Sequence, residues 1–177
     1  MSNYRRTRDA GVCYFFTLVS HQRHTILTDT PLRAALRRAI ERVRLHRPFV
    51  IEGCVLLPDH LHCLWRMPQG DADFGSRWSM IKRLTSQAIA MPGAVSLSRS
   101  LRRESGLWQR RFWEHRIHDE DDYQRHMDYL HFNPVKHGLV GRVADWPWSS
   151  FHRLVAEGVY PADWGGDAVV DNGEYGE

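Results

Sequence analysis

Residues 56–65 read LLPDHLHCLW, an apolar run that turns at Pro58-Asp59 and then sets His60 and His62 one residue apart. Side chains alternate along a strand, so the two imidazoles share one face while Leu61, Cys63 and Trp65 take the other. Two neighbouring imidazoles on a sheet face can grip a divalent metal when a third ligand comes from elsewhere. The spacing alone is a weak signal, because two hydrogen-bonded histidines would show it as well. A second stretch, DYLHFNPVKHGLV at 128–140, carries Tyr129 and Asn133 four residues apart on one helix face. Asp122 and His126 continue that polar stripe, and Tyr123, Met127 and Leu130 form the apolar stripe expected to pack on a sheet. A tyrosine on such a face, beside a histidine pair, has the make-up of a nucleophile next to a metal. Taken alone it is an ordinary packing residue.

At 177 residues, 42% hydrophobic and 11% aromatic, the chain can bury one domain core and is too apolar for a disordered one. Cys13, Cys54 and Cys63 fall in apolar runs without a CxxC pair and read as buried free thiols in a reducing cytoplasm. The start, MSNYRRTRDAG, lacks the apolar core of a signal peptide, and no window reaches the ~18 apolar residues of a membrane span. A soluble cytoplasmic protein without membrane contact is expected. Residues 163–177 form an acidic, Gly-rich tail, expected to fray. Residues 1–162, the expected single domain, hold 24 basic against 16 acidic residues, and 22 of the basic ones are Arg. A basic body points to nucleic acid, and arginine forks suit phosphates and bases. A genome that favours Arg codons would give the same count.

The elements that must position the candidate residues follow from pattern and punctuation. Residues 12–20 are rich in β-branched and aromatic types and read as a strand. Thr30 as N-cap and Pro31 open a helix whose apolar face is Leu32, Leu36, Ala39, Ile40 and Val43, closed by Pro48. Residues 49–57 and 60–67 make a hairpin about Pro58-Asp59. Asp73 caps a helix over 74–91, and 92–105 reads as a polar, Ser/Arg-rich loop. A fourth strand lies within 107–117, shorter than the run itself. Acids at 119–122 favour the first turn of a third helix, which Pro134 should close. A short helix at 149–157 stops at Gly158. The order βαββαβ is that of a ferredoxin-like α+β fold: an antiparallel sheet with helices on its face, the first and third strands central, and an added C-terminal helix carrying Tyr129.

Several motifs together resemble the REP-associated tyrosine transposases, in the HUH single-tyrosine superfamily. They are YRR near the start, RPF at 47–49, LLPDHLHCLW, SRW…IK at 76–82, QRRFWEH at 109–115, DYLHFNPVKHGLV, and DWPWSSFHR at 145–153. The resemblance covers about residues 3–166, and its HxH after LP with Y…NPVKHG is a specific combination. It implies His60 and His62 as metal ligands, Asn133 as a third, Tyr129 as nucleophile, and Mg2+ or Mn2+ as the ion. It also implies single-stranded DNA with REP-like hairpins as substrate, nicked and rejoined through a 5′-phosphotyrosine. The resemblance implies a monomer, as expected for this branch, with a dimer, as in related insertion-sequence enzymes, the alternative.

Candidate DNA contacts are Arg5, Arg6 and Arg8, then Arg77, Lys82 and Arg83 on the second helix, and Arg110 and Arg111. A competing expectation is a non-catalytic single-stranded nucleic-acid binder, its bases stacked on Tyr14, Phe15 and Phe16 of a ferredoxin-like sheet. A zinc hydrolase would want a fuller ligand set, such as HExxH, which is missing.

Overall fold

The computed structural model describes residues 11–89, 106–165 and 175–176. Strands β1 (Cys13–Val19), β2 (Val50–Leu56), β3 (His60–Arg66) and β4 (Trp113–Arg116) form one antiparallel sheet in the order β2-β3-β1-β4. This is the ferredoxin-like order, with β1 and β3 central as expected. The fourth strand keeps only four residues of its apolar run, and Trp108 makes an isolated bridge to Ser20.

Alternation divides the central strands between two cores. Phe16 and Leu18 of β1 and Leu61, Cys63 and Trp65 of β3 face helices α1 (Thr30–His46) and α2 (Phe74–Ala88). Trp65 is sandwiched there between Phe49 and Trp78, at 3.9 and 4.0 Å between ring centroids. Cys13 and Phe15 with Leu64 face the other way, under helix α3 (Glu120–Lys136) and the short α4 (Phe151–Ala156). Gly53 lets α3 settle on β2, since a Cβ there would meet Met127 Sδ at 2.6 Å. The register slips between Ile51 and Gly53, a bulge that sets Glu52 to accept from Arg66 Nε at 2.5 Å and Tyr123 OH at 3.3 Å.

Helix ends depart from the sequence reading in three places. Asp29, not Thr30, holds the N-cap position of α1, and its side chain makes no cap bond. Asp73 does cap α2, accepting from Ser76 N at 3.2 Å, but α2 ends at Ala88. Pro134 does not close α3. In the last turn a proline forfeits a single backbone bond, and the helix ends instead in a Schellman motif. Gly138, at φ +68°, donates to Val135 O at 2.9 Å, and Leu139 N donates to Pro134 O at 2.9 Å. The expected stop at Gly158 holds, with φ +73°. Cys13, Cys54 and Cys63 are free thiols, the last two 3.2 Å apart across β2 and β3. No helix among the described residues is long and apolar enough to cross a membrane. Arg5, Arg6, Arg8 and the 92–105 loop lie outside the described residues.

Candidate active site

His60 and His62 sit at the start of β3, facing α3, with 1% and 0% of their surface exposed. Their ring centroids are 4.9 Å apart. Each ring is held by its Nδ1. Asp59 Oδ1 lies 2.6 Å from His60 Nδ1, and Thr17 Oγ1, directly across from His62 on β1, lies 2.8 Å from His62 Nδ1. The Thr17 hydroxyl has one hydrogen, which it donates to the carbonyl of Tyr175 at 2.5 Å. His62 Nδ1 is therefore the donor to Thr17, and the ring's lone pair is on Nε2. A carboxylate only accepts, so His60 Nδ1 also carries a proton. Nε2 is then the nitrogen each ring would offer to a metal, the arrangement by which metal-binding histidines are oriented. Two imidazole nitrogens so placed are a donor pair for a divalent metal.

Asp59 is itself held by Arg23, at 2.9 Å. Burial pushes its carboxyl up, but the bonds from His60 and Arg23 outweigh burial and leave it below the usual carboxylate range.

Helix α3 brings Tyr129 to this pair. Asp119 caps its start, accepting from Asp122 N at 2.8 Å, and Glu120, Asp121 and Asp122 crowd the first turn. Tyr123, Met127 and Leu130 pack on the sheet, as the apolar stripe requires. The polar stripe is buried with them: Asp122, His126, Tyr129 and Asn133 are all at most 6% exposed. The Tyr129 ring centroid is 5.4 Å from that of His62. Because Pro134 does not break the helix, Asn133 stays on the helical path one turn beyond Tyr129. Lys136 Nζ donates to Tyr129 Oη at 2.9 Å and lies 4.7 Å from its ring centroid. Past the helix, the His137 ring comes within 5.2 Å of His60. The Tyr175 ring lies flat on Tyr129, at 3.5 Å between centroids and 10° between planes. The expectation of a frayed tail therefore does not extend to Tyr175, which is 5% exposed.

A REP-associated tyrosine transposase of Escherichia coli (strain K12) is 46% identical over 169 residues, covering 96% of this chain and 94% of that protein. A Haemophilus influenzae relative of the same family name is 44% identical over 171 residues, covering 94% of this chain and 95% of the relative. The solved structure of a REP-associated tyrosine transposase bound to a REP hairpin matches with a TM-score of 0.81 at 45% identity, covering 100% of this chain and 98% of that one. No family model matches. The chain belongs to the REP-associated tyrosine transposases.

Of the candidate DNA contacts of this transposase, Arg77, Lys82 and Arg83 lie apart from His60, His62 and Tyr129, since α2 packs on the opposite sheet face from α3. Lys82 Nζ donates to Gln109 O at 2.9 Å, and burial pulls its amine down to about 8. Its 3.4 Å contact with Arg110 O brings α2 beside the segment before β4. Arg83, Arg110 and Arg111 are exposed.

Arg77 is placed otherwise than a phosphate contact requires. It is 2% exposed, and its five N–H groups go to Arg47 O, Pro48 O, Asp73 O and both oxygens of Asp71. It clamps the α1–β2 connection to the start of α2.

Sequence reasoning passed over Asp59, Thr17, Lys136 and Tyr175. Asp59 adjoins His60, and Lys136 lies two helical turns from Tyr129, so both were within reach of spacing arguments. Thr17 needs the sheet register, and Tyr175 needs the tertiary fold. A further set of donors gathers where β4 meets α3. His115, His118 and Asp122 bring one ligand atom each within 4.8 Å of one another.

Proposed function

We propose that this transposase nicks single-stranded DNA beside REP-like hairpins and rejoins it through a 5′-phosphotyrosine on Tyr129. The observation that carries this reading is the placement of Tyr129 on α3 beside His62 and the Nδ1-anchored His60/His62 pair. His60 and His62 would hold Mg2+ or Mn2+, with Asn133 as third protein ligand. Bound there, the ion would polarise a non-bridging phosphate oxygen and offset charge in the transition state.

Tyr129 Oη forms a bond to phosphorus as the bond from phosphorus to the 3′ oxygen breaks. The 3′ oxygen leaves as a hydroxyl, and the 5′ phosphate stays on the tyrosine. Lys136 holds Oη and offsets the negative charge that builds as the phenol loses its proton. The phosphotyrosine conserves the phosphodiester bond energy, so a second 3′-hydroxyl can displace Tyr129 and reseal the strand without ATP.

Tyr129 and the histidine pair come together within one chain, so the proposed site needs no residue from a second copy. A cytoplasmic location, where the DNA lies, goes with this reading. Arg5, Arg6, Arg8, Lys82, Arg83, Arg110 and Arg111 are the proposed phosphate contacts for strand and hairpin, and Arg77 supports them from within. The binder-only alternative loses its platform, because Phe15 and Phe16 are fully buried between the sheet and its helices.

The test is a denaturing gel of protein incubated with Mn2+ and a REP hairpin carrying single-stranded flanks. A covalent adduct is expected from the wild type and none from Tyr129→Phe, which keeps fold and DNA binding. An undiminished adduct in the variant moves the nucleophile elsewhere, with Tyr123 next to test.

A further inference from the structure

We propose that His115, His118 and Asp122 form a second metal site, separate from the His60/His62 pair, that takes a transition ion of the Zn2+ class and staples β4 to the start of α3. The three residues read H-x2-H-x3-D in eight residues of chain, HRIHDEDD. Their ligand atoms already gather within 4.8 Å. The geometry is built rather than incidental. Asp122 is 5% exposed, and its Oδ2 is pinned by His115 Nε2 at 2.8 Å and by the backbone N–H of His118 at 3.0 Å. The His115 ring is held nearly parallel between Trp113, 6° off plane, and His126, 12° off plane. His118 is exposed and can swing onto an ion from solvent.

The donor chemistry selects the ion. Two imidazoles and one carboxylate suit Zn2+, Co2+ or Ni2+ and are a poor set for Mg2+, which prefers oxygen. With bonds of about 2.0–2.1 Å, tetrahedral ligand atoms stand about 3.3 Å apart. His115 Nε2 and Asp122 Oδ2 would part by roughly half an ångström, and the neutral ring would carry its proton on Nδ1, leaving the Nε2 lone pair for the ion. Water would fill the fourth position. The site lies two strands from β3, roughly 10 Å across the sheet, so one ion cannot serve both places. A bond from β4 to the first turn of α3 would hold the helix that carries Tyr129.

The experiment titrates the full-length protein with Co2+ in saturating Mg2+ and reads the ligand-field bands of tetrahedral cobalt, with Zn2+ as competitor. His118→Ala removes one exposed ligand and leaves the fold untouched. The wild type should show the bands, lose them to Zn2+, and gain in melting temperature with Zn2+. His118→Ala should bind Co2+ at least tenfold more weakly and lose the gain in melting temperature. His60→Ala should keep both. The proposal is overturned if His118→Ala matches the wild type, or if His60→Ala abolishes the bands. Neither readout needs DNA or cleavage, so failure here is distinct from failure of the nicking reaction.

Discussion

Lys136 Nζ lies 2.9 Å from Tyr129 Oη, donated from two helical turns further along the same helix. That contact depends on α3 running through Pro134. A helix ended at Asn133 would not carry Lys136 back over the tyrosine. On the proposed reading, the ammonium sits where charge builds as the phenol oxygen becomes the nucleophile. Lys136→Met should therefore slow adduct formation on the order of 100-fold, the usual scale for losing one donor to a developing anion. DNA affinity should change little. Lys136→Arg, which keeps charge and donors, should recover part of the rate. Single-turnover adduct kinetics against a DNA binding curve separate the two effects. An unchanged rate in Lys136→Met would leave the lysine a packing residue.

Tyr175 covers the face of Tyr129 with its own ring. On the proposed reading, a nucleotide that reaches Tyr129 and the histidines displaces it. A stacked aromatic pair is worth about 0.5–1.5 kcal/mol, so Tyr175→Ala should raise the adduct rate at subsaturating DNA roughly two- to tenfold. The Thr17 bond goes to the Tyr175 backbone carbonyl and does not need the ring. Equal rates for variant and wild type would show that the ring does not compete with substrate.

The Nδ1 partners of the histidine pair make a separate claim about metal affinity. Thr17→Val removes the acceptor opposite His62, and Asp59→Asn removes the charge behind His60. Losses of such outer partners cost about 10- to 100-fold in metal affinity. Mn2+ binding without DNA, followed by calorimetry, should weaken about tenfold or more in each variant. Full affinity in both would detach ring orientation from metal binding.

Much of this geometry is legible from local pattern. Alternation places His60 and His62 on one face, and helical spacing places Tyr129 with Asn133. The strand and helix order already gives the sheet in which β3 is central. Charge patterning misleads at Arg77, because a buried guanidinium and a solvated one look alike in sequence. Its burial depends on carbonyls of Arg47 and Pro48, which a different connection brings. Pro134 misleads as a stop because it forfeits one bond to the preceding turn, while the helix runs on to Lys136 and is closed by the bonds of Gly138 and Leu139. Gly138 was the better signal. Tyr175 sits 46 residues from Tyr129, and no local rule links the two.

His131 gives the fold a pH dependence of known sign. It lies on α3 with no surface exposed, its Nε2 2.9 Å from Ser150 Oγ and its ring against Phe151 and Tyr160. Burial, then the nearby positive charges of Arg153 and His152, pull its pKa down to about 3 from an ordinary 6.5. Above 6.5 the ring is neutral in both the folded and the unfolded chain, and its contribution is fully present. Below 6.5 the unfolded chain takes up a proton that the folded chain refuses. Stability should therefore fall as pH drops from about 6.5 toward 3, at up to about 1.4 kcal/mol per pH unit from this group. His126, also pulled down by burial, acts in the same direction. The carboxyls of Asp59 and Asp122, held below the usual range, begin to matter only at lower pH. Asp128, pushed up by burial, takes up its proton first in the folded chain and acts the other way, so the decline below pH 6.5 is the histidines' effect net of Asp128. Urea unfolding across that range should show the decline, and His131→Gln should flatten it even if the variant starts less stable. A slope in His131→Gln equal to that of the wild type would place the titrating group elsewhere.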